Sequence, residues 1–235
     1  MHIAQGAPRR RPFTEFVWRH PEYWTVALSV AAWLVLAERA ITHAHTHGLF
    51  AQWSHWLLMT AAMMLPLTTS AVRHTAERSL WPRRHRAILG FLLGYGAVWA
   101  LAGAPLALLA SETGLPERIG WASGAAVGFL LAAAWFLTPW KRLATSLCHH
   151  TIPLAPLGWR ADRDCLRFGW NSGWYCAFNC WPFMLVCWLS AHSFLAMAGG
   201  FAFGWLERYR TPNHRLNAAL LAALAAAFAV SQVSP

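Results

Sequence analysis

Seven apolar stretches recur along this chain, at about 23–41, 53–72, 87–110, 121–139, 168–190, 192–206 and 216–232. No other feature limits the fold so strongly. Several approach the roughly 20 residues that carry an α-helix across ~30 Å of hydrocarbon. A backbone in lipid must also satisfy its own hydrogen bonds, which helices do within one segment. The sixth stretch is short and the fifth contains Pro182. The pattern predicts an all-α fold, a polytopic integral membrane helix bundle, with seven transmembrane helices preferred over six.

The basic residues set the orientation. With the amino terminus in the cytoplasm, every Lys and Arg except Arg39 and Arg118 falls on the inner side, from Arg9, Arg10 and Arg11 through Arg73–Arg86 and Lys141–Arg167 to Arg208–Arg215. This is the positive-inside pattern. It assigns the net charge of +10 to anionic lipid headgroups rather than to nucleic acid. Residues 1–22 form a basic cytoplasmic segment, and 23–235 a single transmembrane helical domain. The amino-terminal segment is too long and aromatic for a signal peptide, and no small-x-small site follows Ile41, so the first helix is expected to remain uncleaved.

Small residues four apart, Gly90/Gly94 and Gly124/Gly128, predict close helix packing. Trp18, Trp24, Trp53, Trp56, Trp81, Trp140 and Trp159 are expected at the membrane interfaces. Glu38 and Arg39 sit near the outer end of the first helix, where they can pair or snorkel to the surface.

Three groups of side chains carry candidate chemistry. In "THAHTHGLFAQWSHWLLMTAAMMLPL", His43, His45 and His47 precede a helix whose His55, Met59 and Met63 share one face at i, i+4 and i+8. Imidazole suits several transition metals, and thioether favours reduced copper. The group reads as a receiving funnel above a methionine track, or as solvated histidines above packing methionines. In the fifth stretch, Cys176, Cys180, Met184 and Cys187 project within an arc of about 80°. Pro182 removes a helical hydrogen bond there and predicts a kink near Cys180. These sulfurs are either inert packing or ligands of a soft cation. The third group, Cys148, His149 and His150, follows the fourth stretch and needs donors from elsewhere, the nearby inner end of the fifth among them. Five cysteines, three of them in one membrane helix, argue against a secreted disulfide framework. Pro153 and Pro156 argue against a continuous helix between the fourth and fifth stretches.

The segments "WLLMTAAMMLP" (56–66), "GYGAVW" (94–99), "TPWK" (138–141) and "GWYCAFNCWPFM" (173–184) occur in this order. Together they resemble a bacterial family of predicted metal-binding integral membrane proteins, a domain of unknown function, over about 53–210. The resemblance implies a multi-pass protein of the bacterial cytoplasmic (inner) membrane. It also implies metal ligands at Cys148, Cys176 and Cys180. Ala144 and Asn179 stand where that family has two further cysteines, which shifts the donor set toward His149, His150 or the outer histidines.

The function expected is metal handling in a membrane, with copper the favoured transition metal ion. The chain would bind it, transfer it or deliver it to a membrane metalloenzyme. The alternative is an accessory subunit of a larger respiratory, photosynthetic or oxygenase complex. No P-loop, paired carboxylates, nucleophile elbow or HExxH motif is present, and no enzymatic activity is expected.

Overall fold

The computed structural model describes residues 16–17, 19–42, 48–209 and 213–231, with Trp81 by its backbone alone. Among these, all regular structure is helical. His43, His45 and His47 lie outside the described residues, as does most of the basic amino-terminal segment.

α1 (Tyr23–Ile41) is followed by α2 (Leu49–Met64). Pro66 cannot supply an amide donor, and the chain tightens into a 3₁₀ turn over Leu65–Thr68 before resuming as α3 (Thr69–Glu77). α4 (Arg84–Thr113) ends at Gly114, whose φ of 58° closes the helix with a bond to the Ala110 carbonyl. The short α5 (Leu115–Ile119) leads into α6 (Trp121–Phe136). α7 (Pro139–Cys148) then turns away from α6 by 87°. After an irregular stretch that contains Pro153 and Pro156 come α8 (Gly158–Leu189), α9 (Phe194–Tyr209) and α10 (His214–Val230).

Three segments, Tyr23–Ile41, Leu49–Glu77 and Arg84–Thr113, are long and apolar enough to cross a membrane. The bent pair Trp121–Phe136 and Pro139–Cys148 makes a fourth if it is one span. Leucines on the outer surface, such as Leu34, Leu93, Leu101 and Leu130, are more than half exposed. Unpaired apolar faces of this kind suit acyl chains.

α8 is the central element. Its 32 residues extend ~48 Å at the helical rise, with charged residues from Arg160 to Arg167 in its first turns. α4 lies along it with backbones in near contact. A β-carbon on Gly94 would collide with the Leu166 carbonyl, and one on Gly169 with the Phe91 carbonyl. α6 approaches from another side, where Gly124 meets Leu189 and Gly128 meets Val186. Gly90 differs from its neighbours in the motif, since its β-carbon would sit 3.6 Å from that of Cys165, an ordinary contact. α10 closes on α6 through Ala218, Leu221 and Ala225.

Two expectations need correction. Trp56 is not an interfacial anchor. It is 3% exposed, donates to the Trp99 carbonyl at 2.9 Å, and lies so tightly on Gly103 that no β-carbon fits there. Lys141 is not a solvated loop charge. It is wholly buried, because the chain turns inward at Thr138, whose hydroxyl caps α7 by accepting from the Lys141 amide at 3.3 Å.

Candidate metal site

The "TPWK" and "GWYCAFNCWPFM" segments meet in space. Thr138 caps α7, Pro139 fills its first turn, where no amide donor is needed, and Trp140 faces outward. This leaves Lys141 and, one turn on, Thr145 facing α8. Lys141 Nζ lies 2.7 Å from Glu207 Oε1 on α9, and donates to Glu207 Oε2 at 2.8 Å and Asn179 Oδ1 at 2.9 Å. It also reaches the Asn179 carbonyl at 3.3 Å, on the turn that Pro182 weakens. Thr145 Oγ1 completes the set, within 3.2 Å of both Asn179 Oδ1 and Glu207 Oε1. A buried ammonium is tolerated only when paired and hydrogen-bonded, and here α8 and α9 supply the partners. This network ties α7 and α9 to the middle of α8.

Directly beside it opens a cavity of about 200 Å³. Cys148 from the end of α7 and Cys176 and Cys180 from α8 all line it, with His149, His150, Glu207 and Arg208 at its wall. The structure thus gathers the three cysteines that the family resemblance singled out, and adds both histidines of the Cys-His-His run. Each thiol has a nearby partner. The Tyr95 hydroxyl donates to Cys176 Sγ at 3.1 Å, and Cys148 Sγ donates to the Tyr175 carbonyl at 3.2 Å. Asn179 Nδ2 stands 3.6 Å from Cys180 Sγ. Arg208 anchors the rim through Ser70 and through the Cys148 carbonyl at 3.4 Å.

The stripe of sulfurs along α8 divides. Cys176 and Cys180 reach the cavity, whereas Met184 and Cys187 point into the core. Cys187 Sγ donates to Met63 Sδ at 3.7 Å, which joins the stripe to the methionine face of α2. Met59 and Met63 are fully buried, and His55 is 9% exposed. Arg39 Nη1 lies 3.4 Å from His55 Nδ1, a partner no helical spacing could reveal. Cys165 stands apart, buried where α8 meets α4.

Among the described residues, no three His, Cys, Asp or Glu side chains stand close enough together to hold a metal ion. A structural zinc centre needs four such ligands in tetrahedral array, and the cavity does not supply them. Its donors are soft, few and loosely gathered.

Residues 53–231 match the sequence model of a copper chaperone family, PpoB2. No curated protein and no solved structure matches the chain.

Proposed function

The chain belongs to the copper chaperone family PpoB2, and from that membership we propose that it carries copper(I) within a membrane and hands it to a membrane copper enzyme. The copper is cargo rather than a resident cofactor. The observation that carries this reading is the convergence of Cys148, Cys176 and Cys180 on one cavity. Cys176 and Cys180 are the principal ligands in it, Cys148 and His149 complete the set as the ion arrives or leaves, and Met184 receives it from the core side. His55, Met59 and Met63 form the approach along α2, with His43, His45 and His47 collecting the ion ahead of it. No reaction of the protein's own is assigned.

We place the protein in the bacterial inner membrane with seven spans and the amino terminus in the cytoplasm. The distribution of Arg residues supports this orientation, and the three long apolar segments support a membrane location. The cavity then lies toward the cytoplasmic half and His55 toward the outer face.

The test is competition for copper(I) between the purified protein and a chromophoric copper(I) chelator under reducing conditions. The wild type is expected to withdraw copper from the chelator. The Cys176→Ser/Cys180→Ser variant should hold it at least tenfold more weakly, since a hydroxyl is a poor soft-metal ligand (roughly 1.4 kcal/mol or more). Wild-type protein that takes no copper, or a double variant that binds like wild type, overturns the proposal.

A further inference from the structure

A second group of donors lies at the opposite end of the bundle from the cavity. His55 on α2 and His192, on the turn between α8 and α9, pack edge to face with ring centroids 4.5 Å apart. The Nε2 atoms of both rings are buried and, among the described residues, have no hydrogen-bond partner. A buried polar atom left this way costs about 1–3 kcal/mol, and here two such atoms belong to touching rings.

The backbone at His192 is a separate observation. Ala191 and His192 have φ values of 49° and 60°. Left-handed conformations are rare for residues with a β-carbon and cost roughly 1–2 kcal/mol each. Glycine or asparagine usually fills such positions at the end of a helix. The turn is held by the His192 amide donating to the Cys187 carbonyl at 2.8 Å and by Ser190 Oγ donating to the same carbonyl at 3.1 Å. Strain of this kind at a non-glycine pair points to a task for the side chain it aims.

We propose that His55 and His192 form a copper(I)-binding site, with the Met59 thioether as a third donor, which loads the chain before copper reaches the cysteines. The inference rests on the copper reading above. It adds a ligand on the far turn of α8 and a control element on α1. Two neutral imidazoles and a thioether bind copper(I) without releasing a proton to solvent. They hold it less tightly than thiolates do, so the ion moves onward to the sulfur-rich cavity.

Arg39 guards this site. A guanidinium only donates, so its contact with His55 Nδ1 requires that nitrogen to accept, and the ring proton then sits on Nε2. For Nε2 to take copper, the proton shifts to Nδ1 and Arg39 withdraws. The ring remains neutral throughout, and no proton is gained or lost. The fixed positive charge beside the ring also opposes a second cation directly.

The full-length protein in lipid nanodiscs is titrated with copper(I) against the same chelator. The stoichiometries of wild type, Cys176→Ser/Cys180→Ser and His55→Ala/His192→Ala are compared. We expect each double variant to lose one binding event and retain the other. X-ray absorption of the cysteine variant should show nitrogen ligation of its remaining copper. Arg39→Gln should tighten the histidine site roughly tenfold, as removal of a like charge at this range does. His192→Gly keeps the test independent of folding. It relieves the left-handed backbone, so the protein should be at least as stable while binding at this site is lost. Copper bound at the cysteines with unchanged stoichiometry in the histidine variants sinks this inference alone. Wild-type protein that binds no copper sinks the copper reading and this site together.

Discussion

The buried Lys141–Glu207 pair gives the most demanding test of the architecture. In Lys141→Met, Glu207 keeps its position at 7% exposure but loses both close contacts to the ammonium, at 2.7 and 2.8 Å. Among the described residues the Thr145 hydroxyl, 3.2 Å from Oε1, remains as a donor to it. The carboxyl must then take up a proton, draw in water or move out of the bundle. Removing one partner of a buried ion pair costs about 3–5 kcal/mol, mostly from the stranded charge. The double variant Lys141→Met/Glu207→Gln strands nothing. It loses the network's geometry but also its desolvation cost, and should fall within roughly 2 kcal/mol of wild type. The unusual expectation is therefore that two substitutions do less harm than one. Unfolding in mixed micelles at neutral pH, followed by helical circular dichroism, measures all three proteins. A single variant within about 1 kcal/mol of wild type, or a double variant no better than the single, would refute the reasoning. Either result means that water reaches Lys141 and that the pair does not lock α7 and α9 onto α8.

Two further predictions separate close contacts from sequence patterns. Gly94→Ala should destabilise the protein by at least 1–3 kcal/mol, about the cost of overpacking, because its β-carbon meets backbone that cannot give way. Gly90→Ala should be neutral or slightly stabilising, since there is room for it. The same unfolding assay compares them, and equal losses would mean that α4 and α8 pack in another register. At the Arg-rich end, Glu22 pairs with Arg73. Burial raises its carboxyl pKa, but the hydrogen bond and charge of Arg73 outweigh this and bring it below the usual value of 4.5. A depressed carboxyl stabilises the fold fully above its unfolded value and loses that contribution as pH falls through the lower, folded one. Thermal melts of wild type should therefore drop on acidification below about 4.5, and Glu22→Gln should flatten part of that drop, a difference of roughly 1 kcal/mol or less for so exposed an arginine. Parallel pH profiles would show that the pair contributes nothing.

The helical class could be read from the apolar runs alone, because each run is a local property. The stripe from Cys176 to Cys187 could also be read, since it depends only on helical period. What joins those pieces could not. Lys141 and Glu207 are 66 residues apart. Lys141 looks like one more inner-loop charge until the 87° turn at Thr138 and Pro139 carries it inward. The signal was the turn itself: a capping threonine and a proline mark a new helix, not a loop. Trp56 misled for a related reason. Tryptophan favours interfaces on average, but a glycine on a facing helix makes a slot for an indole, and no single segment records that Gly103 faces Trp56. His192 was equally hidden, because its importance lies in a backbone conformation and in a ring from a helix more than a hundred residues earlier.

The donors on α2 and α8 run in opposite chain order. From the His55 end, α2 supplies His55, Met59 and Met63 with one helical turn, ~6 Å, between successive residues. From the same end, the α8 side supplies His192, Cys187, Met184, Cys180 and Cys176. The two series touch at both ends of the α2 track, ring to ring at His55–His192 and sulfur to sulfur at Cys187–Met63. Such an arrangement fits a carrier better than a store. A full tetrahedral set of thiolates would hold copper in a deep minimum and release it slowly, whereas partial sets spaced one turn apart let each new ligand bind before the old one leaves. On the proposed path affinity would rise as imidazole and thioether give way to thiol, and the Lys141–Glu207 pair holds the wall of the cavity at its end.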